Sequence, residues 1–172
     1  PSPRLLLLDE PLSNLDANLR EALKVELRSI LVGLKTGAIY VTHDQSEAFT
    51  VADRVALMRE GVIVQTGTGE ELLNRPSGPW EARFLGHENV FGGSQTTALP
   101  VSSTAVLLRA DLTRLLKAGE GTTPVTVLAA ARGGLAWRLT LDAPAWNVEL
   151  TWRGFDRELP SHPAPGATFG LL

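Results

Sequence analysis

The feature that most constrains this chain is a short apolar run closed by two acids, Leu5-Leu6-Leu7-Leu8-Asp9-Glu10, halted by Pro11. Four leucines in succession carry no helical period. A run this short reads as a strand buried on both faces of a sheet. A second such run, Ala38-Ile39-Tyr40-Val41-Thr42, ends at His43. Between the two, Asp16 is an N-cap for a helix from about Ala17 to Leu34. Leu19, Leu23, Leu27, Ile30, Leu31 and Leu34 form one stripe along it, and Gly33 and Gly37 bracket its end. Asp44 caps a further short helix, with Glu47 three residues on completing a capping-box-like pair. Strand, helix, strand and helix in this order predict a parallel βαβ sheet, hence an α/β class for the first part of the chain.

Residues 54–59 and 62–66 then read as a hairpin turning at Glu60-Gly61. Thr68-x-x-Glu71 opens a short helix ended by Pro76, and another short helix covers 80–85. After Gly86 the texture changes to short β-prone runs at 105–109, 125–130, 137–141, 148–152 and 168–171, separated by Gly, Pro and Thr. That is the pattern of a small all-β sheet or barrel. The boundary falls near 86–93, which gives domains at 1–88 and 89–172. The chain opens at Pro1, almost directly into an apolar strand, and reads as part of a longer protein.

Composition narrows the function. Charged residues are 20% and hydrophobic residues 44% of 172, a globular balance. Up to Gly86 there are 9 basic and 12 acidic residues, and beyond it 7 and 7, so neither part offers a basic nucleic-acid surface. Cysteine is absent, as fits a reducing compartment. No apolar run approaches the roughly 20 residues of a membrane-spanning helix, so a link to a membrane would come through a partner.

In an open parallel sheet, ligands sit beyond the carboxyl ends of the strands. Two strands here end in ionisable groups: Asp9 and Glu10 on one, His43 on the other. Neighbouring residues on a strand point to opposite faces, so one acid can face a metal while the other faces a water. An Asp there can hold Mg²⁺, which takes few carboxylates and keeps several waters. The adjacent Glu can orient a water for attack on a phosphoryl group. His43 can donate a hydrogen bond to a terminal phosphate. Taken singly, each has a plainer reading: an Asp-Glu pair as a strand-end turn, a strand-end His as structural, and 13–16 as a loop and helix cap.

Taken together, the string Leu-Leu-Leu-Leu-Asp-Glu-Pro-Leu-Ser-Asn-Leu-Asp, then a helix, then a strand running into Val41-Thr42-His43-Asp44, resembles the ABC transporter ATPase family. Residues 5–10 match its Walker B motif, 13–16 its D-loop, and His43 its switch histidine. The resemblance covers roughly residues 1–89. It implies the second half of a P-loop NTPase domain that binds ATP and Mg²⁺. Asp9 would help hold the metal, Glu10 would be the general base, and His43 would contact the γ-phosphate. Asp16 would sit at the interface with a second ATPase subunit, coupling one ATP site to the other. The family's partners are transmembrane permease subunits and, indirectly, a solute-binding protein. Its place is the cytoplasmic, inner face of the membrane.

The sequence also departs from that family. No G-x-x-x-x-G-K-[ST] stretch is present, and no Leu-Ser-Gly-Gly-Gln signature precedes residues 5–10. Gly92-Gly93-Ser94-Gln95 follows the histidine and reads as a linker turn. These 172 residues alone are therefore expected to bind ATP weakly or not at all. In the second part, Val106-Leu107-Leu108-Arg109-Ala110-Asp111 resembles a segment of TOBE domains, small OB-like barrels appended to importer ATPases, with Ala110 where Pro is usual. Phe84-Leu85-Gly86-x-x-Asn89 resembles the junction before such a barrel. Trp137, Trp146 and Trp152 read as core aromatics, since a base-stacking platform would add basic residues. Three readings stand: an importer's ATPase subunit, a non-transport ABC-type ATPase, and a non-catalytic binding module built on the barrel.

Overall fold

Leu5–Asp9 forms strand β1 and Gly37–Val41 forms strand β2, and the two pair in parallel from Leu5↔Gly37 to Asp9↔Val41. Helix α1, Ala17–Leu34, makes the crossover that a parallel pair requires. The computed structural model describes residues 3–34, 36–92, 105–108, 113–121 and 123–172. The chain divides into two units, 1–77 and 78–172.

In the first unit the strands and helices fall where the sequence puts them, but their burial does not follow the expectation. Leu5 and Leu7 of β1 are 50% and 72% exposed, and Ile39 and Val41 of β2 are exposed to a similar degree. Among the described residues this sheet has two strands, so its outward positions have no covering layer. The leucine stripe of α1 is only partly used: Leu19, Ile30 and Leu34 are exposed, while Leu23, Leu27 and Leu31 are half-buried. The residue that α1 does bury is Lys24. The reason is the neighbour it meets. Helix α2, Gln45–Val51, lies against the face of α1 that carries Arg20, Lys24 and Arg28, four residues apart and so in one line. Lys24 Nζ donates to Ser46 Oγ at 3.0 Å, near the start of α2, and Arg28 Nη1 to the Val51 carbonyl at 2.8 Å, at its end.

Strands β3, Val55–Arg59, and β4, Val62–Gly67, form the expected hairpin. Glu60 (φ 52°) and Gly61 (φ 80°) both take left-handed backbone, as a two-residue type I′ turn demands. Helix α3, Gly69–Asn74, starts at a complete capping box between Thr68 and Glu71 and buries Leu72 fully.

The second unit begins with helix α4, Pro79–Phe84, which has proline in its first turn and packs against β5, Asn89–Gly92, and β6, Ala105–Leu108. Those two strands pair antiparallel. The remaining strands are β7 Leu115–Leu116, β8 Thr123–Gly133, β9 Ala136–Ala143, β10 Val148–Phe155 and β11 Thr168–Leu171. They form one antiparallel sheet in the order β10-β9-β8-β11-β7. Alternate residues of β10 (Val148, Leu150, Trp152) and of β8 (Val125, Val127) turn inward to meet Leu139, Leu141 and Phe169. This is the period-two burial of a sheet with one wet face. Trp152 is a core residue whose Nε1 donates to the Thr113 carbonyl, and Trp137 and Trp146 pack on the rim of the same cluster. Strands β5 and β7 are additional to the β-prone runs expected from the sequence. Residues 93–95 of the expected linker turn and 109–111 of the TOBE-like segment lie outside the described residues.

Gly170 in β11 runs so close to the turn at Glu120 that a Cβ there would overlap the Glu120 carbonyl. Both sides of that contact are backbone, so no rotamer relieves it. Gly170→Ala should destabilise the second unit by about 1–3 kcal/mol, the usual cost of overpacking, read as a lower midpoint in thermal unfolding. Unchanged stability would show that β11 does not pass that turn.

Candidate functional site

The parallel register sets Asp9 beside Val41, so the next residues of both strands leave the sheet at one edge. The Glu10 amide donates to the Val41 carbonyl at 2.9 Å, adding a last rung to the pairing. Glu10 itself has φ 44°. For a residue with a Cβ that conformation costs about 1–2 kcal/mol. The other described non-glycine residues with positive φ, Glu60 and Asn147, sit in turns between paired strands. His43 lies two residues past β2, and its Nδ1 meets Glu10 Oε1 at 2.9 Å. A carboxylate only accepts, so Nδ1–H is the donor. The imidazole is 76% exposed and the carboxylate 43%. The strand tips thus present a joined acid and imidazole to solvent.

The loop after Glu10 is held on itself. The Glu10 carbonyl accepts from the Ser13 amide at 3.2 Å and the Ser13 hydroxyl at 2.9 Å, and Leu15 N donates to Leu12 O at 3.2 Å. Leu12 is buried beneath the loop. Asp16 closes it as a helix cap: its Oδ1 accepts from Leu19 N at 3.0 Å. Asp9 and Asp16 are exposed, and among the described residues neither bonds to the Glu10–His43 pair. No group of three or more His, Cys, Asp or Glu side chains gathers as a metal cage among the described residues.

Behind His43 lies a polar network that goes beyond the helix cap expected at Asp44. Asp44 caps α2 as expected, accepting from Glu47 N at 3.1 Å. The returning half of the capping box is different, because the Asp44 amide donates to Thr42 Oγ1 at 3.0 Å instead. Glu47 is only 3% exposed, and its Oε2 accepts from Tyr40 OH at 2.9 Å and Thr42 Oγ1 at 2.8 Å. Burial, and then the bond to Glu47, raise the Tyr40 phenol above its ordinary value and keep it a donor. Lys24 Nζ bridges Glu21 at 2.7 Å and Ser46. Burial works to raise the Asp44 carboxyl, but the Glu47 amide bond and the charges of Lys24 and Arg20 outweigh it and hold the carboxyl low. The signal in the sequence is the four-residue spacing of Arg20, Lys24 and Arg28, which sets three cations in one line along α1.

The hydrogen bond to Glu10, and next its charge, raise the His43 imidazole above its ordinary 6.5. A raised histidine contributes stability that is full below about pH 6.5 and is lost as pH rises through its folded value. A ring that keeps its second proton donates from Nε2 as well as Nδ1. In an NMR titration His43 should therefore lose its proton above pH 6.5, and Glu10→Gln should lower that midpoint. A midpoint unmoved by the substitution would contradict the bond.

No family model matches the chain. Curated relatives do. The chain is 37% identical over 168 residues to the spermidine/putrescine import ATP-binding protein PotA of Borreliella afzelii, an alignment covering 87% of this chain and 48% of that protein. It is 58% identical over 90 residues to the Fe(3+) ions import ATP-binding protein FbpC of Streptomyces coelicolor, covering 52% of this chain and 26% of that one. A third match, to the Fe(3+) ions import ATP-binding protein FbpC 1 of Pectobacterium atrosepticum, is 34% identical and takes in 98% of this chain and 51% of its relative. The chain spans about half the length of the curated relatives it matches most fully. It is a homologue of the ATP-binding subunits of ABC importers.

Proposed function

We propose that this chain is the C-terminal portion of an ABC importer's ATP-binding subunit, with the second half of the P-loop-type ATPase domain at 1–88 and an OB-like TOBE barrel at 89–172. The observation that carries the reading is the 2.9 Å contact between Glu10 and His43 at adjacent strand tips, in a chain homologous to import ATP-binding proteins. The relatives are named for different cargoes, polyamines and Fe(3+) ions. What they have in common is ATP binding in the service of import.

In this reading Glu10 is the general base. One carboxylate oxygen is held by His43, and the other faces the water that attacks the terminal phosphorus. The left-handed backbone at Glu10 helps to turn the carboxylate from the strand toward that water. His43 uses Nδ1 to hold Glu10 and Nε2 to donate to the γ-phosphate of ATP, and the neighbouring carboxylate that favours its protonation keeps that donor in place. Asp16 lies in the loop 13–16 and faces a second ATPase subunit. The residues present fit Mg²⁺ in the form the ion prefers, few carboxylates and many waters: Asp9 is one exposed carboxylate at the sheet edge. Bound there, Mg²⁺ would supply charge to offset the phosphates. No helix among the described residues is long and apolar enough to cross a membrane, and docking on a transmembrane permease would bring the motor to the inner membrane face. A solute-binding protein would act through that permease.

The test is ATP hydrolysis by the intact protein that carries these residues. Glu10→Gln should slow hydrolysis about 10²–10⁴-fold, the usual worth of a positioned acid–base group, and leave ATP binding near the parent's. Turnover close to the parent's would remove Glu10 from this role.

A further inference from the structure

The contacts of Arg20 go beyond helix packing. Its guanidinium reaches in two directions from the first turn of α1. On one side Nη2 donates to the Leu15 carbonyl at 2.9 Å and approaches the Ser13 carbonyl at 3.4 Å. Both carbonyls belong to the loop that starts from Glu10 and ends at Asp16. On the other side Nη1 lies 3.9 Å from Asp44 Oδ2, and Nε lies 3.8 Å from Glu47 Oε1. Asp44 is the N-cap of α2 and the residue after His43, while Glu47 is the buried acid holding Tyr40 and Thr42. One planar cation therefore spans the two segments that carry the acid and the imidazole.

The two sides are not equally tight. The contacts to loop carbonyls are hydrogen bonds. Those to the carboxylates are ion pairs too long for hydrogen bonds, and Arg20 Nε is buried with no hydrogen-bond partner. A buried donor facing a buried acid at 3.8 Å is satisfied by a movement of well under the width of an atom. Lysine could not take this place, because a single ammonium lacks the fork that meets carbonyls and carboxylates at once. Lys24, one turn on, is a natural comparison: it grips Ser46 and Glu21, neither of them in the loop 10–16.

We propose that Arg20 is a positioning residue that locks the loop 13–16 to the start of α2, so that the loop and the His43 strand tip move as one body. This rests on the reading of the site as an ATPase centre only for its consequence. The loop is the part that would meet a second subunit, and Arg20 is the route by which its seating reaches His43 and Glu10.

The experiment is amide hydrogen exchange on the intact protein carrying these residues, comparing the parent with Arg20→Lys and Lys24→Met, followed by steady-state ATP hydrolysis of the same proteins. Arg20→Lys should speed exchange about tenfold or more in both 12–16 and 43–47, as expected when the hydrogen bonds on the loop side and the ion pairs on the α2 side are lost from a local unit. Lys24→Met should loosen α2 and leave 12–16 as protected as in the parent. In hydrolysis, Arg20→Lys should lower kcat about tenfold or more at unchanged KM, because it displaces groups without removing any that touch ATP. The proposal is overturned if Arg20→Lys leaves 12–16 at parental protection, if both substitutions loosen the same segments, or if kcat stays at the parental value while exchange changes. The exchange arm needs no nucleotide, so the lock can fail while the ATPase reading stands. The Glu10→Gln assay can fail that reading while the lock stands.

Discussion

The first unit depends on one pairing, the parallel register that sets Asp9 opposite Val41. Parallel strands need a crossover, and α1 provides it. Once the register is fixed, both chains must leave the sheet at the same edge, and the residues that follow are neighbours whatever their separation in sequence. Glu10 and His43 are 33 positions apart and share a 2.9 Å contact. A slip of one residue in either strand would turn one of the two to the other face. The acid–imidazole pair is thus a product of strand register, and the left-handed backbone at Glu10 is the local distortion that accompanies it.

What surrounds that pair is polar, which is unusual support for a helix seam. Three cations on α1 hold α2 near its start and at its end, and Glu47 is buried among Tyr40, Thr42 and Arg20. Buried charge is costly unless paired, so the network holds only while its members are in place. Such an arrangement specifies geometry more sharply than a greasy seam does, since hydrogen bonds have direction and side-chain hydrocarbons do not. The second unit has the opposite character, a sheet closed over Leu139, Leu141, Trp152 and Phe169.

Much of this was legible in the sequence where the signal is local. Four leucines ending at Asp9 gave a strand, Asp16 and Asp44 gave helix starts, Glu60-Gly61 gave a turn, and Thr68 with Glu71 gave a capping box, because each rests on backbone hydrogen bonding within a few residues. Burial was less legible. It depends on which neighbour covers a face, and for the outward leucines of β1 no neighbour lies among the described residues. The role of Arg20 and Lys24 was hidden for a related reason: a cation on a helix reads as solvent-facing until the helix opposite is known to bring a carboxylate and a hydroxyl. Strands β5 and β7 are too short to show a period. Asp9, Glu10 and His43 stood out as candidates by their place at strand ends, whereas Asp16 read as a helix cap until the family resemblance gave it a further role. Their coming together was a matter of topology, and there Glu10 and His43 are joined while Asp9 and Asp16 stand apart from the pair.

If the site works as proposed, the two strand tips converge on one phosphate. The most direct measurement is a crystal structure of the intact protein with Mg²⁺ and a non-hydrolysable ATP analogue. The terminal phosphate should lie within hydrogen-bond reach of His43 Nε2, with Glu10 facing it across a single water. A nucleotide bound elsewhere, with Glu10 and His43 still paired and facing solvent, would contradict it.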